Sequence, residues 1–417
     1  MTTVKSNTGV AQLLRDRPLR GVIANTAIVG TGGALVNTSS SLFLANAVGA
    51  TPLMIGLFFT GRGLLEIAAG LGLGALSDRL PQRRPLLILC PFLSAAGGLA
   101  YAVIREYYVL FAAGAVLFAL GGAGFAQIFA YNRDFAESRA LNPTLLNAVL
   151  RSVTTLCWII GPPIGFLLIG TSGFSPLYLV AAALYLTSAV LCRWLLPDLS
   201  KPVHHERARG NPWAGIPLSL WLLVLAVMVM LTVNNIYQID IALFITRDLG
   251  MDAGFTGLLL GLGAALEVGV ILVVGRHADR IGKWRVVLAA VLCAAVFFAL
   301  LPLAHSKLAL ILLQVPNAFW TAIVLGIPVT MLQDEMRHRV GVASSLFTSA
   351  FQGGILLGGA VTGVVTQWAG FTNVFYVCAA LTIFAFLLLL AAWLRTRRAA
   401  TQQPGPAPVA GAGLSAG

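Results

Sequence analysis

At 417 residues, 58% of them hydrophobic and only 10% charged, the chain has a mean hydropathy of +0.88. Soluble domains carry about 25% charged residues, so this composition excludes a soluble multidomain enzyme and calls for a bilayer around most side chains. The net charge of +12 would suggest nucleic acid in a soluble protein, but here the placement of the basic residues accounts for it and no nucleic-acid partner is expected.

Residues 1–20 read as a short cytoplasmic segment without a cleavable signal pattern. The first span behind it keeps Asn25, Thr26 and Asn37 and is taken as a retained helix. Twelve apolar segments follow in order, each about 20 residues or longer and able to cross a bilayer as a helix. They lie at roughly 21–46, 52–77, 85–104, 107–131, 143–170, 175–196, 217–246, 253–277, 285–304, 308–332, 341–368 and 372–394. Helices are required because a helix satisfies its own backbone in lipid. The hydrophilic stretch 197–216 reads as a cytoplasmic linker between a bundle at 21–196 and a bundle at 217–395. The Pro/Gly/Ala-rich end, 396–417, reads as a disordered cytoplasmic tail.

Loops on the side of the N-terminus hold 22 of the 27 Lys and Arg residues; the opposite loops hold Arg105, Arg247 and Lys307, and the spans hold Arg62 and Arg151. That asymmetry places both termini in the cytoplasm and requires an even number of spans. Cys90, Cys157, Cys192, Cys293 and Cys378 all fall in apolar runs, so packing is expected rather than a disulfide or a metal site. No cofactor is expected, and no enzymatic motif such as H-E-x-x-H or a Walker loop occurs.

The chain repeats itself at an offset of 201 residues. Gly56, Glu66, Gly74, Asp78 and Arg79 fall on Gly257, Glu267, Gly275, Asp279 and Arg280 without a gap, and 41–50 overlies 242–251. Each copy is an apolar run that carries one Glu and ends in an Asp-Arg turn.

Arg62, Glu66, Arg151, Asp240 and Glu267 lie in the spans or close to their ends, where a charge costs about 3 kcal/mol at a helix centre. They are the candidates for proton coupling. Arg62 and Glu66 are four apart and can pair on one helical face, either as a structural ion pair or with Glu66 acting as a protonatable or substrate-binding group. Glu267 has no such neighbour, so its carboxylate must bind substrate, find a partner across helices or become protonated. Span seven gathers Asn234, Asn235, Tyr237, Gln238 and Asp240, and other spans add Asn37, Gln127, Tyr131, Trp158, Gln314, Asn317, Trp320, Thr348 and Gln352. Amides beside rings suit a sugar, whose hydroxyls need donors and acceptors; the same residues could equally hydrogen-bond between helices or pack.

The pattern G-x-x-x-D-R-x-G-x-[RK] after spans two and eight resembles the loop signature of the major facilitator superfamily. Gly275, Asp279, Arg280, Gly282, Lys283 and Arg285 fit it; Gly74, Asp78, Arg79, Arg83 and Arg84 fit the first copy, which has Pro81 in place of Gly. The resemblance implies an all-α membrane protein, twelve transmembrane helices in two pseudo-symmetric six-helix bundles, with these Asp residues latching the cytoplasmic side. Arg133 is the expected partner of Asp78, and the Asn142-Pro143 helix start that of Asp279. Gly161-Pro162-Pro163-Ile164-Gly165 is similar to the G-P-x-x-G element of exporters in that superfamily, and also reads as a simple kink.

A narrower resemblance, to the bacterial sugar efflux transporter family, rests on SLFL-x-x-x-VGA-x-P-x-x-IGLF at Ser41–Phe58 and W-x-IGPP at Trp158–Pro163. It extends to the Asn235–Asp240 region, LEV at 266–268, LQ-x-x-NA at 313–318 and the Gln333–Thr348 run. It implies export of small sugars and glycosides in exchange for protons by a monomer of the cytoplasmic membrane. A drug or metabolite exporter of the same fold, and a non-transporting membrane sensor, are the competing readings.

Overall fold

The structure is a computed structural model that describes residues 17–139, 143–199, 216–336 and 339–402. Expectations for residues 1–16, for linker positions 200–215, for Asn142 and for 403–417 lie outside the described residues, as do the side chains of Asp78, Arg133 and Asp279. Ten described helices are long and apolar enough to cross a membrane.

The first half begins with α1 (Arg17–Asn46), α2 (Pro52–Arg79) and α3 (Arg84–Val103). Next comes α4 (107–138), which contains a π turn at Leu110–Ala115 and a break at Ala123. Then follow α5 (Pro143–Ser172) and α6 (Phe174–Leu195). The second half holds α7 (Leu218–Asp248), α8 (Ala253–Ile281), α9 (Lys283–Leu303) and α10 (Lys307–Glu335). The last 63-residue helix is two legs, α11 (340–369) and α12 (371–402), divided at Gly370, whose φ of 82° and ψ of 169° are not helical. Counting those legs separately and 107–138 as one gives twelve helices; the apolar part of 107–138, Tyr107–Gly122, is shorter than the ten that are long and apolar enough to cross.

Two elements differ from expectation. Helix α4 is interrupted because glycines press it onto α3. A Cβ at Gly121 would stand 2.0 Å from Ser94 Oγ, and one at Gly124 2.3 Å from Cys90 Cβ. Helix α12 continues to Gln402 rather than giving way at 396.

The 201-residue repeat is visible atom by atom at the first turn of each half. Gly49 and Gly250 both have positive φ, 73° and 62°, which glycine adopts without strain. Ala50 N donates to Leu44 O at 2.9 Å, and Met251 N to Ile245 O at 2.9 Å. Thr51 and Asp252 then cap α2 and α8 with their side chains. The cores repeat as well: Phe43 packs edge-on against Phe174 at 5.5 Å, and their counterparts Phe244 and Phe375 do the same at 5.2 Å. The second turn breaks the symmetry. Gly282 caps α8 with φ 97°, whereas α2 ends on Leu80 at φ −78°, because Pro81 cannot adopt the left-handed conformation.

Arg17, the first described residue, and the Arg395–Arg398 run near the end of α12 lie at one end of the bundle, called here the basic end. Trp194, 80% exposed, sits at that end beside Arg193, while Trp368, 87% exposed, and Tyr108 mark the far end. Amphipathic rings at both rims are the pattern of a membrane-embedded bundle.

At the far end the halves are pressed together. A Cβ on Gly56 of α2 would stand 2.3 Å from Gly363 Cα of α11, and one on Gly257 of α8 would stand 2.8 Å from Pro162 O of α5. Positions 363 and 162 are themselves repeat-equivalent, so the two contacts are pseudo-symmetric. Eighteen residues make five helical turns, about 27 Å, and return to the same stripe. On that stripe, Gly74 and Gly275 have nothing within 4 Å of a built Cβ. The halves therefore meet at the far end and part toward the basic end.

Candidate functional site

The close contacts at the far end and the open glycine positions toward the basic end leave a space between the halves that widens toward the basic end. Asn37 is exposed in the middle of α1, although positions 34–36 and 38–45 around it are buried. A polar side chain exposed in such surroundings faces an internal aqueous space. Its repeat counterpart on α7, Gln238, is half-buried between buried Tyr237 and Ile239, as are Asn234 and Asn235 one turn before it. Glu66, Glu267, Trp158 and Gln352 are half-buried too.

The first half arranges its charges as a closed set. Arg62 Nε donates to Glu66 Oε1 at 2.8 Å, and Arg62 Nη2 donates to Asn37 Oδ1 at 3.2 Å. The guanidinium also lies over the Phe118 ring of α4, 5.6 Å from its centroid. Three helices thus hold one cation, and Gly122 leaves room beside it: a Cβ there would come 3.6 Å from Glu66 Oε1.

The second half solves the same position differently. Gly263 stands where the repeat would place Arg62, and a Cβ at that position would be 2.9 Å from Gln314 Oε1. Glu267 accepts a 2.8 Å hydrogen bond from Thr321 Oγ1, a hydroxyl also within 2.8 Å of the Asn317 carbonyl. Asn317 Nδ2 donates to Gln314 Oε1 at 3.0 Å and to Tyr237 OH at 3.4 Å. Glu267 is therefore held by a neutral hydroxyl, whereas Glu66 is held by a cation.

Several sequence-derived candidates stand elsewhere in this conformation. Tyr237, Gln314, Asn317 and Trp320 are buried within the second half, where Asn317 bridges α7 and α10 and Trp320 packs on Phe298 at 5.6 Å. Asp240 is fully buried, and neither carboxylate oxygen has a hydrogen-bond partner among the described residues. Arg151 is exposed near the start of α5, with no ion pair among the described residues, and is not brought to Glu66. Gln127 is drawn to the basic end: Arg83 Nη1 approaches its Oε1 at 3.5 Å. Pro162 belongs to the far-end packing through Gly257, whereas Gly161 packs inside the first half, where a Cβ would meet Ala34 Cβ of α1 at 2.6 Å. Arg79 and Arg280 are exposed at the basic end, close to the open positions of Gly74 and Gly275.

Sequence reasoning missed the basic-end ion pairs. Arg83 Nε donates to Asp134 Oδ2 at 2.9 Å and its Nη1 to Ser77 Oγ at 2.7 Å, while Lys283 Nζ reaches Asp334 Oδ2 at 2.6 Å. Both pairs span 51 residues of sequence, a recurrence that could have found them. Asp134 is nearly buried. Replacing Arg83 with Met would leave that carboxylate uncompensated and should cost about 3 kcal/mol of stability, read as a lowered melting temperature in detergent. Asp134→Asn, which keeps an acceptor and removes the charge, should cost less.

The sequence matches the family profile described as Major Facilitator Superfamily over residues 22–306 and 223–416. It is 33% identical to Sugar efflux transporter A of Escherichia coli (strain K12) over 379 residues, 89% of this chain and 96% of that one. The chain belongs to the Major Facilitator Superfamily and, within it, to the sugar efflux transporters. Sugar efflux transporter C of the same organism is 28% identical over 365 residues, 87% of this chain and 93% of that one. Among solved structures, the nucleoside transporter NupG superposes with a TM-score of 0.75 at 14% identity, covering 91% of this chain and 99% of that one. A bacterial homologue of the human lysosomal transporter Spinster, in an inward-facing and occupied conformation, superposes at 0.74 with 14% identity, covering 93% and 98%. These two likenesses establish the fold alone. For a major facilitator protein, a space between two repeat-related bundles is the transport path.

Proposed function

We propose that this major facilitator protein exports small sugars or glycosides across the bacterial cytoplasmic membrane by alternating access, in exchange for protons. The observation that carries the reading is the chamber between the halves, closed at one end, with amides of α1, α7 and α11 and two repeat-equivalent carboxylates at its wall. Amides supply the donors and acceptors that hydroxyls need. A carboxylate held by a neutral hydroxyl can lose and regain a proton without leaving a cation unpaired. The names of the curated relatives support a sugar as the substrate.

The excess of Lys and Arg at the basic end supports a cytoplasmic location for that end and for both termini, so the conformation described is open to the cytoplasm. The substrate would enter there, meet Asn37, Gln238 and Gln352, and leave when the halves rock to open the far end. Glu267 is the first candidate for the coupling proton, with Glu66 and Arg62 beside it, and the protein works as a monomer.

The test uses the full chain in liposomes, sorted for orientation and loaded with a radiolabelled glucoside. A pH gradient should drive the sugar against its concentration gradient, and a lipophilic cation in excess should not compete. Flux indifferent to the gradient would remove proton exchange; displacement of the sugar by the cation would favour a drug exporter.

A further inference from the structure

Among the described residues, one far-end cation reaches across the two halves, Arg247 at the end of α7. Its Nη2 donates to the Ala45 carbonyl of α1 at 2.8 Å and to Asn46 Oδ1 at 2.9 Å, and its Nε approaches the same oxygen at 3.3 Å. Ala45 belongs to the last turn of α1, where carbonyls lack helical partners and the helix dipole favours a positive charge. The C-terminus of α1 is thus capped by a residue of the other half. Asn46 and Arg247 are 201 residues apart, so each is the repeat counterpart of the other. Residues that meet their own counterparts lie at the pseudo-two-fold axis, so this contact sits centrally in the far-end closure. Leu53 N, bonded to Gln367 Oε1 at 3.2 Å, adds a second link between the halves.

The neighbouring residue anchors the cation on its own side. Asp248 Oδ2 accepts from both Thr372 N, at 2.9 Å, and Thr372 Oγ1, at 2.6 Å, fixing the end of α7 to the start of α12. Arg247 and Asn46 are both exposed, so their bonds can be exchanged for water when the halves part. We propose that Arg247, seated on Ala45 and Asn46, is the latch that sets how long the far end stays closed. A buried ion pair would hold the gate too firmly, whereas an exposed guanidinium on a helix end supports a reversible one.

The experiment reads conformation, so it depends on neither the sugar nor the proton. Spin labels at Tyr108→Cys and Trp368→Cys, exposed far-end positions on opposite halves, are placed in a background with the five native cysteines replaced. The interspin distance is then measured in liposomes. Arg247→Ala should raise the far-open population about tenfold, a charged hydrogen bond being worth roughly that ratio. Asn46→Ala should raise it less. Asn46→Asp should act in the opposite direction, adding a charge opposite the guanidinium and depleting the far-open state. An unchanged distance distribution in Arg247→Ala, or Asn46→Asp opening the far end, would overturn the proposal. Should Arg247→Ala fail to fold, the opposed signs of the two Asn46 variants still decide it.

Discussion

Gly56→Val should abolish net transport and leave the far end unable to close. A Cβ there would stand 2.3 Å from Gly363 Cα and 2.6 Å from Gly359 O. Backbone cannot yield as a side chain can, so α2 and α11 would have to separate. Overpacking of this kind costs about 1–3 kcal/mol, enough to shift the balance of states roughly 5- to 150-fold toward a far-open form in which the clash is absent. Gly257→Val should behave alike, since its Cβ would stand 2.8 Å from Phe166 Cβ. Gly74→Val is the informative contrast: it lies on the same stripe five turns away and meets nothing within 4 Å. It should be tolerated in the conformation described and obstruct only closure of the basic end. Flux of a labelled glucoside and the far-end interspin distance would be measured for all three. Near-normal flux in Gly56→Val would show that α2 and α11 do not need this contact.

Those glycines also show how far the sequence could be read. Gly56 and Gly257 are legible as repeat partners because the duplication preserves them in register, and the helices are legible because lipid allows few alternatives. What the sequence withholds is the identity of each glycine's neighbour. Gly363 and Pro162 lie on other helices, and nothing local to Gly56 or Gly257 names them. Arg247 was readable only as one of three basic residues on the sparse side; its partner Asn46 became evident when the halves were seen to meet at the pseudo-two-fold axis. The break in α4 has a local mark, since Gly121, Gly122 and Gly124 surround Ala123, but the surfaces those glycines meet, Ser94 and Cys90, belong to α3 and are not named by the sequence around them.

The candidate site divides in the same way. The Arg62–Glu66 pair was legible from i,i+4 spacing and is present at 2.8 Å. The buried amides of α10 were legible as polar residues in a span, but their destination was not. Gln314 and Asn317 turn inward to Tyr237, and only a view of the neighbouring helix separates that from lining the path. Asp240 makes the same point from within one helix. It is two residues from Gln238, which places it on another face of α7, and there it is fully buried.

Glu267→Gln should bring pH-driven flux down to the level seen without a gradient while sugar exchange at equal pH continues. The amide is nearly isosteric with the carboxylate, and its oxygen can still accept from Thr321 Oγ1, so the substitution removes titration and little else. Glu66→Gln is the same chemical change with a different consequence. Arg62 is largely shielded from solvent, and losing its counter-ion leaves a cation with no carboxylate beside it, supported by neutral neighbours such as Asn37 and the Phe118 face. That should cost about 3 kcal/mol of stability and depress flux with and without a gradient alike. The two halves thus make opposite predictions from equivalent positions, because the duplication kept the carboxylate in both and the cation in one. Loss of pH dependence in Glu66→Gln, with Glu267→Gln still driven by the gradient, would reverse the assignment and make the ion-paired carboxylate the carrier of the proton.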